Sequence, residues 1–238
     1  MSLIDIHSHI LPRIDDGAKD TQEATELLKL MREQGITSVI ATPHFIASEH
    51  NLQDFISDIT RAKEKLDAVV KEQGLPSVYI GSEVYYFSGI GSSKAISHLC
   101  LNNSKYLLLE LPFCDIGKHI LDDIIKIQTN LGVMPIIAHI ERYHRFKGFK
   151  NLLKLVEDGT CIAQLNATSL FLSKTKRAAY KLIKKGYISF IATDTHSLDR
   201  RPPRLYAALK EIETKLGKEY SDRLIENLSE FQKEIICE

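Results

Sequence analysis

Short apolar runs alternate along the chain with longer segments of helical periodicity. The runs are rich in Ile, Val and Leu, and each of them predicts a β-strand. Tyr106–Leu111 is almost entirely apolar, as expected of a parallel strand that is covered on both faces. The predicted strands are Leu3–Ile6, Ser38–Ala41, Val78–Ile80, Tyr106–Leu111, Met134–Ala138, Cys161–Leu165 and Ile188–Ala192.

The segments between the runs carry apolar residues three and four positions apart, which is typical of a helix with one buried face. In the first of them, Ala24, Leu27, Leu28 and Met31 have this spacing, and Gly35 ends the helix. The predicted helices are Thr21–Gln34, Leu52–Gln73, Asp122–Leu131, Leu152–Asp158, Lys174–Lys185, Leu205–Leu216 and Ser221–Lys233.

The order of these elements predicts the fold class. Seven predicted strands, most of them followed by a helix, indicate an α/β fold with a parallel sheet. Seven units favour a closed, distorted TIM-like (β/α)7 barrel over two dinucleotide-binding halves. The chain also contains neither a GxGxxG nor a GxxxxGKS/T phosphate-binding motif. No linker or repeat divides the sequence, which predicts a single domain over residues 1–238.

The composition of the chain indicates its cellular compartment and argues against some classes of binding partner. Of the 238 residues, 44% are apolar, and 31 basic residues balance 31 acidic ones. Without a net positive charge, neither nucleic acid nor an anionic membrane is predicted as a partner. No apolar run is long enough for a membrane span, so no direct membrane insertion is predicted. Four scattered cysteines without a CxxC pair, and no signal peptide pattern, indicate a reducing compartment, the cytoplasm.

Side chains that can bind metal follow the ends of six predicted strands. In a barrel these ends share one face, where enzymes of this fold keep their active sites. Residues far apart in sequence would therefore meet at one place. The candidate ligands are His7, His9, Asp16, His44, Glu83, Glu110, His139, Asp194 and His196.

The spacing of the first candidates strengthens the prediction. A single His at a strand end is more often a hydrogen-bonded structural residue than a ligand. His7 and His9 differ by two positions, however, so in a strand both imidazoles point to the same side. Asp194 and His196 have the same spacing. Imidazole and carboxylate ligands without a thiolate suit Mn, Fe, Zn, Co or Mg, and the residues do not choose among them.

Together these motifs resemble the polymerase-and-histidinol-phosphatase (PHP) family of metal-dependent phosphoesterases. Within it the chain is most similar to the bacterial manganese-dependent tyrosine-protein phosphatases of capsule and exopolysaccharide operons, the CpsB/CapC group. The resemblance covers residues 4 to about 205. It departs at Ile140, where that group often has Pro, and at Phe45, where it often has His. The motifs are DIHSHILP from Asp5, Asp15-Asp16-Gly17, Ala41-Thr42-Pro43-His44, Gly81-Ser82-Glu83-Val84, YLLLE ending at Glu110, Ala138-His139-Ile140-Glu141-Arg142-Tyr143, Asp194-Thr195-His196 and Arg201-Pro202-Pro203.

The resemblance implies a PHP-type barrel that holds two or three divalent metal ions, with manganese preferred. It implies hydrolysis of phosphotyrosine by attack of a metal-bound hydroxide. The predicted partner is a phosphotyrosine protein, the autophosphorylated tail of a bacterial tyrosine kinase of polysaccharide synthesis. The predicted ion sites are His7, His9, Glu83 and Asp194 for the first, Glu83, Glu110 and His139 for the second, and Asp16, His44 and His196 for the third.

Arg142 and Arg201 are the candidates for binding the phosphate, because a guanidinium matches its oxygens in a bidentate way. The alternative for either residue is a surface ion pair, and Arg204 and Arg145 are then the fallback candidates. A cysteine-based phosphatase is excluded, because it needs an Arg six residues after the nucleophilic Cys. Those positions after Cys100, Cys114 and Cys161 hold Tyr106, Ile120 and Ala167, and Cys237 lies at the very end of the chain.

Three other readings remain open at this point. A PHP-type phosphatase of a small metabolite, such as a histidinol-phosphatase, would have nearly the same metal site and a different rim. An amidohydrolase commonly carries a bridging carboxylated Lys at a strand end, where this chain has Glu110. A binding module on a barrel without catalysis would be revealed by the absence of bound metal. The sequence predicts no oligomeric state.

Overall fold

Nine parallel strands form the centre of the computed structural model, which describes residues 3–236. The predictions for residues 1, 2, 237 and 238, including Cys237, lie outside these described residues. The strands are β1 (Leu3–Ser8), β2 (Ile36–Ala41), β3 (His44–Phe45), β4 (Ser77–Ile80), β5 (Glu83–Tyr85), β6 (Tyr106–Glu110), β7 (Met134–Ile137), β8 (Ile162–Asn166) and β9 (Phe190–Ala192).

The strands pair in two ladders. One has the order β1-β2-β4 and the other the order β3-β5-β6-β7-β8-β9. β3 continues the direction of the chain after β2, and β5 does so after β4, so each pair resembles one strand that is interrupted by two residues. Pro43 has no N–H to donate at the first interruption. At the second, a Cβ on Gly81 would lie 2.7 Å from Leu101 Cδ2, so only Gly fits there.

The sheet curls until its last strand returns to the first. After β9, the backbone N–H of Asp194 donates to the carbonyl of His7 at 2.9 Å, and the N–H of His9 donates to the carbonyl of Thr195 at 2.8 Å. A parallel bridge pairs Ser8 with Thr195. The backbone around the candidate ligands is therefore held by hydrogen bonds between the first and last strands.

Seven helices cover the strands. Their bounds agree with the predictions to within four residues; the largest difference is α3, which begins at Lys118 where the pattern predicted Asp122. The predicted α/β class with a parallel sheet is confirmed. The helices are α1 (Thr21–Glu33), α2 (Leu52–Gln73), α3 (Lys118–Leu131), α4 (Phe149–Glu157), α5 (Lys176–Lys184), α6 (Leu205–Leu216) and α7 (Lys218–Ile236).

Apolar side chains from every strand and helix form one connected core. Buried residues on α1 recur with helical spacing, as the sequence predicted: Ala24, Leu27, Leu28 and Met31 are all inaccessible to solvent. Within residues 3–236, no helix has the length and apolar character needed to cross a membrane.

Candidate metal centre

The carboxyl ends of the parallel strands bring together the side chains that the sequence predicted as ligands. β1 contains His7 and is followed at once by His9, while β3 and β5 begin at His44 and Glu83. Glu110 ends β6. The remaining predicted ligands follow β7, β9 and β1 in the chain: His139, Asp194, His196 and Asp16.

Two of these residues have a left-handed backbone conformation, which is uncommon without Gly. The φ angle is 32° at His139 and 52° at Asp194. Each residue lies two positions beyond the end of its strand. The turn there directs both side chains back toward the other ligands. Such strained backbone, held in place by its surroundings, clusters at functional sites.

Glu83 lies at the middle of the cluster. Its Oε2 is 3.1 Å from His44 Nδ1, 3.2 Å from His7 Nε2 and 3.3 Å from His9 Nε2. Its Oε1 accepts a hydrogen bond from His139 Nε2 at 3.0 Å. Burial alone would raise the pKa of Glu83, but the charge of His7 and the hydrogen bonds from the surrounding histidines hold it well below its ordinary value. Glu83 is therefore an ionised carboxylate that contacts histidines from three strands.

The donor atoms within residues 3–236 fall into three overlapping groups, and within each group they lie no more than 4.8 Å apart. Glu110 lies in one of these groups, while His139 belongs to none and contacts Glu83 and Glu110 at 3.0 and 3.4 Å. The structure thus brings the predicted ligands together, and their division among individual ions stays a prediction. The groups are His7 with His9 and Asp194; His44 with Glu83 and Glu110; and His9 with Asp16, His44 and His196.

The hydrogen bonds of the imidazoles fit metal ligation. His7 Nδ1 lies 3.3 Å from Gln164 Oε1, and His9 Nδ1 lies 2.6 Å from Asp15 Oδ2. Since both oxygens can only accept, each Nδ1 carries a proton, and Nε2 faces the cluster. The two Nε2 atoms are 3.3 Å apart. A metal ion that displaces the proton between these two Nε2 atoms would find both imidazoles directed toward it, which is the arrangement of a histidine-rich metal site.

The charge balance of the cluster also favours a cation. Burial lowers the pKa of His9, but Asp15 and Glu83 outweigh this effect and raise it to about 10. Burial raises the pKa of Asp194, but the charges of His7 and Arg201 outweigh this and lower it below its ordinary range. The cluster is therefore rich in ionised carboxylates that hold positive charge strongly. A divalent metal ion would balance these negative charges, and carboxylate oxygens and imidazole nitrogens are suitable ligands for it.

Asp16 is the most exposed of the predicted ligands. Its side chain is 68% exposed, and its Oδ1 lies 3.3 Å from His196 Nε2 and 3.6 Å from His44 Nε2. Burial and the charge of His9 lower the pKa of His196 to about 3, so this ring is neutral. The third group thus opens toward solvent, whereas His7, His9 and Glu83 are buried.

Asp15 has a positioning role that the sequence did not predict. It accepts a hydrogen bond from His9 Nδ1 and a second from the backbone N–H of His44 at 3.0 Å. It thereby orients one ligand and anchors the strand of another. The neighbouring Gly17 allows this loop to turn under β1, because a Cβ there would lie 2.0 Å from the carbonyl oxygen of His9.

We expect Asp15→Asn to raise the manganese concentration needed for half-maximal activity by about 10- to 100-fold, the usual cost of losing a carboxylate that orients a ligand histidine. Asn keeps the shape but removes the charge that fixes the His9 ring. Titration of manganese into chelator-treated protein measures this shift. Asp222→Asn, at an exposed position of α7, is the matched control. An unchanged manganese requirement in Asp15→Asn would contradict the positioning role.

Two amide side chains on β8 also contact the cluster. Besides the contact with His7, Gln164 Oε1 accepts a hydrogen bond from the backbone N–H of His139 at 2.8 Å. Asn166 Nδ2 donates to Asp194 Oδ2 at 2.5 Å. β8 was the strand whose end carries no His, Asp or Glu. The sequence feature that could have identified these amides is a pair of polar residues two positions apart in a buried strand. This spacing places both side chains on the same side of the strand.

The two predicted arginines meet at one oxygen atom. Arg142 Nη2 donates to Asp194 Oδ2 at 2.7 Å, and Arg201 Nη2 donates to the same atom. Arg201 Nη1 also donates to His196 Nε2 at 2.8 Å. The side chains are 28% and 35% exposed, so both guanidinium groups remain partly open to solvent beside the cluster. This places two cations where an anionic substrate would approach the ligands.

Comparison with known proteins gives a consistent result. Residues 3–231 match the family model described as capsular polysaccharide synthesis, CpsB/CapC. The chain is 31% identical to the tyrosine-protein phosphatase CpsB of Streptococcus agalactiae, over 97% of this chain and 98% of that protein. A solved structure in a study of YwqE from Bacillus subtilis and CpsB from Streptococcus pneumoniae, described as unique metal-dependent tyrosine phosphatases, superposes with a TM-score of 0.83, 30% identity and coverage of 95% and 93%.

A more distant structure shares only the fold. The histidinol phosphate phosphatase of Lactococcus lactis superposes with a TM-score of 0.56 at 13% identity, over 92% of this chain and 94% of that one. At this identity the likeness concerns the curled α/β sheet and not the substrate.

Proposed function

Because the chain belongs to the CpsB/CapC family of capsular polysaccharide synthesis, we propose that it is a metal-dependent tyrosine-protein phosphatase. It is then a phosphoric monoester hydrolase whose substrate is phosphotyrosine in a protein. The single observation that carries this proposal is the cluster around Glu83, where histidines from three strands converge on one buried carboxylate beside two arginines.

The predicted ligands would hold two or three divalent ions, and manganese is the proposed one. When bound, the ions supply Lewis acidity, which lowers the pKa of water and neutralises phosphate charge. Other contacts within the chain position the ligand side chains. Glu83 lies between the groups, Asp15 fixes the ring of His9, and Gln164 fixes the ring of His7. The proposed ligands are His7, His9, Asp16, His44, Glu83, Glu110, His139, Asp194 and His196.

Arg142 and Arg201 bind the phosphate in this proposal. Both donate to Asp194 Oδ2, which holds their guanidinium planes at the edge of the cluster. A phosphate oxygen there accepts the remaining N–H groups in a bidentate way and has its charge stabilised as the ester bond breaks. The leaving tyrosyl oxygen has an ordinary pKa near about 10, so it departs more readily than an alkoxide.

The proposed substrate is the autophosphorylated tail of a tyrosine kinase of polysaccharide synthesis. The family's description as capsular polysaccharide synthesis and the exposed edge of the site at Asp16 support this proposal. The alternative, a histidinol-phosphatase, keeps the metal site and needs an acidic pocket for a small amine. Fold similarity to the Lactococcus lactis structure favours it, but at 13% identity that similarity does not extend to the substrate.

A comparison of two substrates tests the function. We expect chelator-treated, manganese-restored protein to hydrolyse a phosphotyrosyl peptide in preference to histidinol phosphate. Arg142→Ala should lower kcat/KM for the peptide by about 10²-fold, the usual cost of one charge-stabilising donor, without loss of bound manganese. Arg177→Ala, at an exposed position of α5, is the matched control. A preference for histidinol phosphate would contradict the proposal and support the metabolic alternative.

The detailed architecture of the barrel and the cellular location of the protein are also proposals. We propose that the whole chain is one domain with a PHP-type distorted (β/α)7 barrel, because the β2–β3 and β4–β5 pairs each behave as one interrupted strand and β9 returns to β1. We propose a cytoplasmic location, since Cys100, Cys114 and Cys161 are free thiols, which suits a reducing compartment.

A further inference from the structure

An exposed aromatic ring lies against the metal centre. Phe113, on the loop after β6, is 52% exposed. Its ring nonetheless stacks on two others: the centroids are 5.6 Å from Tyr143, at an interplanar angle of 25°, and 6.2 Å from His139, at 15°. One face of Phe113 is therefore covered by rings of the site, and much of the residue remains open to solvent.

This ring is held in a fixed position. Tyr143 is buried, and its hydroxyl donates to the carbonyl of Leu111 at 2.9 Å and accepts from the N–H of the same residue at 3.0 Å. Leu111 directly precedes the Pro112-Phe113 pair. The loop that carries Phe113 is thus tied to the 3-10 helix Ile140–Tyr143. An aromatic face that already packs on other rings loses little conformational freedom when a ligand stacks on it.

The position of Phe113 relates it to the proposed phosphate site. The 3-10 helix carries Arg142, directly before Tyr143 and three residues after His139. Phe113 therefore stacks on the residues to either side of the arginine that would bind the phosphate. In phosphotyrosine the phosphate is joined directly to a flat apolar ring. Because Phe113 contacts the same short helix that carries Arg142, we expect the aromatic ring of a phosphate ester bound at Arg142 to lie near Phe113.

The distribution of exposed apolar residues supports contact between this part of the site and an aromatic substrate ring. Among residues 3–236, large apolar side chains that are exposed concentrate on the loops at the carboxyl ends of β6, β8 and β9, around a centre that is otherwise polar. A small polar metabolite would gain nothing from such a rim, whereas an aromatic side chain in a peptide would. The residues on these loops are Phe113, Phe171, Leu172 and Leu198.

We propose that Phe113 stacks against the tyrosyl ring of the substrate and makes the site selective for aryl phosphates. The inference rests on the proposed function and adds a specificity-determining residue to it. Aromatic pairs prefer offset or edge-to-face contacts at centroid separations of about 4.5–7 Å, and the stacks of Phe113 on Tyr143 and His139 already lie in that range. The substrate ring would add another layer.

Direct binding of two phosphonates tests this role without requiring turnover. Phenylphosphonate has the aromatic ring and methylphosphonate does not, and neither is hydrolysed. Calorimetric titration into manganese-loaded protein gives both Kd values. We expect Phe113→Ala to raise the Kd of phenylphosphonate by about 5- to 10-fold, the value of one aromatic contact, and to leave that of methylphosphonate unchanged. Phe113→Tyr should retain wild-type selectivity.

The control is Tyr206→Ala, which removes an aromatic residue of the same 52% exposure from α6. Tyr206 lies beside Gln34, at the opposite ends of the strands, so its loss should change neither Kd. Equal weakening of both phosphonates in Phe113→Ala would show that Phe113 only supports His139 and Tyr143, and would overturn the proposal. Unchanged Kd values would overturn it too. Failure of the proposed function is seen separately, as wild-type protein that does not hydrolyse the phosphotyrosyl peptide.

Discussion

Glu83→Gln should lower kcat/KM for a phosphotyrosyl peptide by at least about 10³-fold, because metal charge stabilisation contributes several kcal/mol to such reactions. Gln has the shape of Glu but lacks its negative charge, and Glu83 contacts histidines from three strands with that carboxylate. The variant should also bind less manganese per chain. Steady-state kinetics and elemental analysis of the same preparation measure both effects.

The matched control for this change is Glu64→Gln, at an exposed position of α2. It should retain wild-type turnover and metal content. Because a buried substitution could disturb folding, the thermal transition of Glu83→Gln in chelator should be compared with that of chelator-treated wild-type protein. A folded Glu83→Gln variant with full metal content and near-wild-type turnover would show that Glu83 is not a bridging ligand.

Removal of divalent metal should abolish turnover and also reduce stability. Metal that binds only the folded chain stabilises it by about 3 kcal/mol at a free concentration of 100 times Kd, which corresponds to a Tm increase of about 5–10 °C for a chain of this size. The reason is that a divalent ion adds positive charge beside the ionised Glu83 carboxylate and between the facing Nε2 atoms of His7 and His9. Chelation followed by manganese addition, with thermal scans at each step, measures the change.

The stabilisation should depend on the cluster itself. Chelator and manganese should shift the Tm of Glu64→Gln as they shift that of wild-type protein, and should shift that of Glu83→Gln much less. Turnover that persists after complete removal of metal would contradict the metal-dependent mechanism. An equal manganese-induced shift in wild type and Glu83→Gln would place the stabilising metal elsewhere.

Most of the fold could be predicted from the sequence because its helices and strands have strong hydrophobic periodicity. α2 was predicted with its observed bounds, Leu52–Gln73, since Phe55, Ile59, Ala62 and Leu66 repeat on one face and Gly74 ends the helix in a left-handed conformation. The short strands β3 and β5 were not predicted. Two or three residues are too few for a periodic signal, and their pairing depends on neighbours across the sheet.

The candidate ligands could be predicted because the carboxyl ends of the strands share one face of a barrel. This is a property of the topology and not of the local sequence. The residues that orient them were harder to find. Asp15 contacts His9 only because Gly17 lets the loop pass under β1, and no spacing encodes this close approach. No sequence pattern marks Phe113, since the two rings beneath it belong to a different loop.

The central claim is that the strand-end cluster holds the metal ions, and anomalous diffraction tests it most directly. Crystals of manganese-loaded protein would be measured at energies above and below the manganese absorption edge. We expect anomalous peaks within about 2.0–2.5 Å of the Glu83 carboxylate and of Nε2 of His7 and His9, the usual range for such ligands. Loaded crystals with no peak among these side chains, or with manganese bound only elsewhere on the molecule, would contradict it.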